Sequence, residues 1–567
     1  MKFKDMPYER PDYEAAKALL ETLMAKMEAA ENAEAFYAVF DEINTERNHI
    51  NTAATLCSIR HSIDTRDEFY DKETDYWNEY GPLYSALESK IFQAVVHSKF
   101  AEELKNSGKI PLTFFKEAEF NEKSFREDII PDLQEENKLC TEYDKLIASA
   151  AIEFEGKTYN LMQLKALTQS KDRALRERAY NARMGWFAEN EGKIDEIYDK
   201  MVHLRDSIAK KLGFKNFVEL GYIRMRRFDY DENDVATYRS EVLKHIVPVA
   251  GKLFAAQKER LGMDRLRYFD ESIEFLSGNP TPKGTPEELV AAAQNMYHEM
   301  SPETAEFIDV MVDNELTDLV SKPGKQSGGY CTALPDYKVP FVFANFNGTS
   351  ADADVLTHEM GHAFQGYQSR DIAVPECCWP TLESCEIFSM SMEFFAWPWS
   401  KGFFKEDTEK YHYLHLGSTV KFVPYGVLVD HFQHEVYNHP DMTPDERKAT
   451  WRRLEKMYLP HKDYEGCDIL EKGCWWYQQG HIFGSPFYYI DYTLAQICAL
   501  QFWKRGQVDK DPQAWPDYLS MCKCGGTLPF RQLLKVGNLR EPFQTGILGE
   551  VMESVSAYLD SVDAKAL

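Results

Sequence analysis

Nowhere in the 567-residue sequence do 18 uncharged apolar residues run together, so no segment has the length and polarity of a membrane-spanning helix. The opening stretch, MKFKDMPYERPDYEAAKALLETL, holds no apolar core of signal-peptide length and no small-residue cleavage site. Export is therefore disfavoured and a cytoplasmic location is expected. The 11 cysteines are an odd number, include the adjacent Cys377 and Cys378 and the close pair Cys522 and Cys524, and never take C-x-x-C spacing. Reduced thiols are the expected state, and a finger-like structural zinc site is excluded. Basic charge is also short: 65 Lys and Arg stand against 92 Asp and Glu, a formal charge of -27. That field repels polyphosphate and anionic headgroups, so neither nucleic acid nor a membrane surface is an expected partner. No fixed-period repeat argues for a solenoid.

What is present is a globular balance, with 44% hydrophobic, 28% charged and 13% aromatic residues, on a chain long enough for two or three packed lobes. Asp12 can N-cap a helix whose Leu19, Leu20, Leu23, Met24 and Met27 share a stripe, and similar amphipathic stretches recur to about residue 265. In IEFEGKTYNL (152–161), apolar alternation around Glu155-Gly156 predicts a small hairpin. In SGNPTPKGTPEEL (277–289), prolines and glycines break the pattern before Thr285 opens a helix with a capping box. Aromatic and branched residues in 328–348 favour strands, with a turn at Asn347-Gly348. The expected organisation is a helical region over 1–200 and a second region over 201–567.

The segment DVLTHEMGHAFQG carries His358, Glu359 and His362 as H-E-x-x-H. Four residues on a helix place both imidazoles on one face, one turn apart, as two ligands of a zinc ion. Glu359 lies about 80° round from their midpoint, suited to a base that addresses a metal-bound water. Leu356, Met360, Ala363 and Phe364 gather on the opposite, apolar side. Chance alone yields the pattern in roughly one such chain in 25, so a third ligand must complete the site. LESCEIFSMSMEFF (382–395) supplies Glu383, Glu386 and Glu393 on one helical face, and periodicity does not choose among them. Asp354, one turn before His358, is a candidate orienter of that imidazole or a helix N-terminal charge. His434 and His439 are five apart and cannot chelate one ion, and His431 and His434 read as structural. PFVFANFNG (340–348) offers an edge for backbone pairing with a peptide, and Gly328, Gly329 and Tyr330 form either a loop over it or a plain turn.

Several separate stretches resemble the oligoendopeptidase F and thimet oligopeptidase family of zinc metallopeptidases. They are LGFKNFVELGYIRMRRFDY (212–230), FANFNGTSADADVLTHEMGHAFQ (343–365), GCWWYQQGHIFGSPFYYIDYTLAQ (473–496) and CGGTLPFRQLLKVGNL (524–539), in the family's order. The resemblance implies a mainly α, elongated, two-lobed fold, with a small β-sheet beside the zinc helix and a deep central channel. It implies one zinc per chain, and it selects Glu386, in an E-x-x-S-x-x-x-E segment with Ser389 and Glu393, as third ligand beside His358 and His362. Glu359 takes the role of base. His481, Tyr489 and Tyr492, or Tyr488 in place of Tyr489, take the role of oxyanion donors. The implied activity is hydrolysis of internal bonds in short peptides. Departures at Ala363-Phe364-Gln365 and at Cys377-Cys378 bear on substrate preference. A zinc aminopeptidase would need a G-x-M-E-N type segment, which is absent. A peptide-binding protein with a vestigial site would tolerate loss of Glu359 or a ligand, and all four groups are present.

Overall fold

The computed structural model describes residues 1–322, 324–326, 328–346 and 351–567; the turn expected at Asn347-Gly348 lies outside them. The fold is mainly helical, with small sheets. Among the described residues the strands are β1 (Ile152–Phe154), β2 (Lys157–Tyr159), β3 (Thr317–Val320), β4 (Tyr330–Leu334) and β5 (Val339–Phe346). No helix among the described residues is long and apolar enough to cross a membrane.

Two compact units divide the chain, one built from Met1–Glu122, Thr281–Thr408 and Gln501–Leu539, the other from Lys123–Pro280, Glu409–Leu500 and Arg540–Leu567. The boundary read from the sequence at residue 200 falls inside a helix of the second unit, Glu191–Lys211. Units assembled from distant stretches are defined by shared cores, which linker composition does not report.

Local signals in the sequence form as their chemistry dictates. Asp12 accepts from Ala15 N at 2.8 Å and caps Tyr13–Glu28, burying Leu20 and Met27 while Leu19 stays exposed. Thr285 and Glu288 close a capping box at the head of Pro286–Met300. Strands β1 and β2 pair antiparallel around Glu155 and Gly156, both at positive φ, as a two-residue hairpin turn requires.

In the first unit, the sheet order is β3-β5-β4, with β3 parallel and β4 antiparallel to β5. Both neighbours of β5 are therefore taken, and Phe341, Val342, Phe343 and Ala344 are fully buried. This corrects the expectation that 340–348 offers an open edge: β5 is central, and β4 is the edge beside it. Its unbroken apolar run, PFVFA, is what burial on both faces demands. Tyr330, at the start of β4, stacks on Phe343 at 4.9 Å between ring centroids. Gly328, at φ +97°, makes the turn that leads into it.

The motif helix, Ala351–Gln368, packs against the sheet and against the glutamate helix, Leu382–Phe395. Leu356, Met360, Ala363 and Phe364 are buried, as the apolar stripe requires, and Tyr297 Oη donates to Leu356 O at 2.9 Å. The two helices meet backbone to backbone at Gly361, where a Cβ would stand 2.7 Å from Ser389 Cα and 2.9 Å from Phe388 O. Tyr518 Oη donates to the same Phe388 carbonyl at 2.9 Å, so that backbone is held on both sides. Gly361→Ala should therefore destabilise the protein by about 1–3 kcal/mol, the cost of overpacking a rigid contact; an unchanged thermal or denaturant midpoint would contradict this contact.

Candidate metal centre

One turn of the motif helix separates His358 from His362, and their rings lie 5.1 Å apart at 84°. The glutamate helix brings Glu386 between them: its Oε2 is 3.5 Å from His358 Nε2 and 3.7 Å from His362 Nε2. Tetrahedral ligands about 2.0–2.2 Å from a zinc ion stand about 3.3–3.5 Å apart, so these separations suit one cation. Three donor atoms, one from each residue, lie within 4.8 Å of one another. Two imidazoles and a single carboxylate match zinc better than calcium or magnesium, which prefer oxygen-only shells.

The three acids that periodicity left open now have distinct places. Glu386 faces both imidazoles. Glu393 Oε1 lies 2.6 Å from His358 Nδ1, so it accepts from the ring's second nitrogen while the first points towards Glu386. Glu383 is fully buried and accepts from Thr381 Oγ1 at 2.8 Å, next to the helix start. Glu393 holds an orienting position on His358, the role for which Asp354 was also considered. Asp354 stands in the first turn of the motif helix beside Asp352, where negative charge complements the helix dipole.

Electrostatics of the cluster follow from burial and close carboxylates. Burial presses His362 down to about 4, against the opposing pull of Glu386. Burial also presses on His358, but hydrogen bonds to Glu386 and Glu393 outweigh it and hold its pKa well above the usual imidazole value. Glu359 is raised by burial, with Glu386 and Glu393 adding to the rise and His358 opposing it. Its carboxylate reaches towards the head of β4: a Cβ on Gly329 would stand 3.9 Å from Glu359 Oε1 and 3.3 Å from Phe343 O. The sequence reading did not single out Gly361 or the Gly329 approach, because both demands come from a partner backbone.

The second unit gathers the other predicted residues. His481 lies 5.1 Å from Tyr489, 5.7 Å from Tyr488 and 6.0 Å from Tyr492, ring to ring. Its Nδ1 meets Gln479 Nε2 at 2.7 Å, and Gln479 Oε1 accepts from Tyr425 Oη at 2.7 Å. Burial, with Tyr492 beside it, raises the Tyr489 phenol, which stays protonated and able to donate. His431 and His434, read from the sequence as structural, each meet a tyrosine hydroxyl. His434 Nε2 is 3.1 Å from Tyr222 Oη, and His431 Nδ1 is 3.0 Å from Tyr458 Oη.

Comparison with known proteins places this geometry. The chain matches the Peptidase M3 N-terminal domain over residues 3–125 and Peptidase family M3 over residues 166–553. An oligoendopeptidase F homologue of Lactococcus lactis subsp. lactis (strain IL1403) is 20% identical over 375 residues, which span 60% of this chain and 58% of that protein. Among solved structures, a candidate oligoendopeptidase F is 51% identical with both chains covered in full and a TM-score of 0.93. PZ peptidase A with an inhibitor is 51% identical, also over the full length of both chains, at 0.92. A candidate oligoendopeptidase F from Bacillus anthracis str. Ames is 48% identical at 0.89, over 100% of this chain and 99% of the other. With its family-model match covering most of the chain and its fold shared end to end with these structures, the protein belongs to Peptidase family M3.

Proposed function

We propose that this protein is a zinc-dependent endopeptidase that hydrolyses internal bonds of short peptides in the cytoplasm. The observation that carries the reading is the convergence of His358, His362 and Glu386 on one point, with Glu393 behind one imidazole and Glu359 beside it. When bound, zinc supplies Lewis acidity that polarises the scissile carbonyl and makes water a competent nucleophile.

The chain's own residues then divide the work. His358 and His362 hold the ion as neutral imidazoles, and Glu393 fixes the His358 tautomer by accepting from Nδ1. Glu359 takes the proton from water and returns it to the leaving amine. A carboxylate whose pKa is raised by burial is a stronger base towards water than an exposed one, and so better suited to the first of these steps. His481, Tyr489 and Tyr492 donate hydrogen bonds to the developing oxyanion, with Tyr488 the alternative donor to Tyr489. The β4 edge, whose head lies beside Glu359, pairs with the peptide backbone. Main-chain pairing depends little on side-chain identity, and broad sequence tolerance follows. The names carried by the similar proteins support the endopeptidase class and the short-peptide substrates.

Two measurements test this reading. Glu359→Gln should cut kcat/KM on an internally quenched peptide by about 10²- to 10⁴-fold while metal analysis still finds one zinc per chain; full turnover in this variant would remove Glu359 from the base's role. Glu393→Gln should weaken zinc retention by about 10- to 100-fold in competition with a chelator; unchanged retention would make Glu393 a bystander.

A further inference from the structure

The stretch that leads into β4, residues 321–329, carries Gly324, Gly328 and Gly329, and the first two sit at positive φ, +84° and +97°. A chain so rich in glycine has little conformational preference of its own, so contacts with its neighbours decide where it lies. Its first half is tied on two sides. Thr65 Oγ1 donates to Gly324 O at 2.8 Å, and Gln326 N donates to Ser62 O at 2.9 Å, near the end of the helix Ala33–Ile63. On the other side, Lys325 Nζ donates to Asp318 O at 2.9 Å and to Val320 O at 3.1 Å, both on β3.

The second half, beside the catalytic base, is held differently. Main-chain pairing of β4 with β5 begins at Tyr330, opposite Phe343. Two residues further along β5, Asn345 Nδ2 donates to Gly328 O at 2.8 Å and to Gln326 O at 2.9 Å. A carboxamide carries two N–H donors on one nitrogen, and here they serve two carbonyls that lie beyond the ladder. Asn345 is the one polar residue of β5, VPFVFANF, and asparagine is depleted in strands, so its place there calls for a specific contact. Between Gly328 and β4 stands Gly329, where a Cβ would lie 3.3 Å from Phe343 O and 3.9 Å from Glu359 Oε1. Asn345 therefore fixes the carbonyl adjoining the glycine that lies beside the base.

We propose that Asn345 is a positioning residue for the hydrolysis: by clamping the Gln326 and Gly328 carbonyls it sets the head of β4, and the peptide backbone paired with it, against Glu359. The proposal rests on the reading of β4 as the edge that pairs with substrate, and adds which side chain aligns that edge with the base. Five consecutive pairs with β5, from Tyr330 to Leu334, hold the body of the strand without Asn345, so loss of the clamp displaces only the head. A displacement of about 1 Å at a reacting group costs up to about 100-fold in rate.

The test uses the zinc-loaded full chain and its variants Asn345→Ala and Asn345→Asp, the second keeping the shape of the side chain but presenting acceptors to the two carbonyls. The substrates are an internally quenched peptide and twins in which single backbone N–H groups, other than that of the scissile bond, are methylated. The readout is the ratio of kcat/KM between parent and twin within each protein, so a general loss of activity cancels. In the unmodified protein, methylation at pairing positions next to the cut, and at others three or more residues away, should cost about three- to tenfold. In both variants zinc should stay at one per chain, and kcat for the parent should fall about 10- to 100-fold with KM changed less. The ratio next to the cut should then approach unity while the distant ratio persists. Both ratios surviving, or both collapsing together, would overturn the proposal: the first leaves Asn345 idle, and the second makes it a general support of the fold. Failure of the underlying reading looks different: every twin is cut as fast as its parent if β4 does not pair with substrate, and no peptide is cut if the protein is not a peptidase.

Discussion

Two helices touching at a residue without a side chain set the metal centre. At Gly361 the motif helix lies against Ser389 and Phe388 of the glutamate helix so closely that a single added carbon would collide with main chain. That contact brings Glu386, one turn before Ser389, within 3.7 Å of both imidazoles. Helix axes ordinarily sit about 8–10 Å apart, and a larger residue at 361 would enforce a spacing at which the carboxylate falls short. The buried faces of both helices, carrying Phe364 and Phe388, pack against Tyr518 of the helix Ala514–Cys524 and hold the approach rigid.

What gathers at that contact would be unfavourable without a cation. Glu386 and Glu393 flank His358, and Glu359 is half-buried nearby. Concentrated negative charge of this kind raises carboxyl pKa values and pulls imidazoles towards protonation. The opposite shifts of His358 and His362 show two chemically alike residues one turn apart in different fields, because only His358 has carboxylates on both ring nitrogens. A dication among the donors removes that tension, which is why a cluster so poorly suited to an empty interior is well suited to metal.

The second unit compensates its buried charges internally. Most of its buried cations are paired: Arg227 with Asp491, Arg239 with Asp430 and Arg176 with Asp270.

Local chemistry was legible in the sequence. The H-E-x-x-H spacing, the Asp12 and Thr285 caps, the Glu155-Gly156 hairpin and the apolar back of the motif helix depend on residues within a few positions of one another, and the chain alone determines them. Resemblance narrowed three acids to Glu386, where periodicity could not, since Glu383, Glu386 and Glu393 share one helical face. Tertiary structure decided the rest: Glu393 on the second ring nitrogen of His358, β4 rather than β5 at the sheet's edge, and units that cross the expected boundary at residue 200. Each of these turns on which distant segment lies alongside, and a linear pattern carries no record of its neighbours across space.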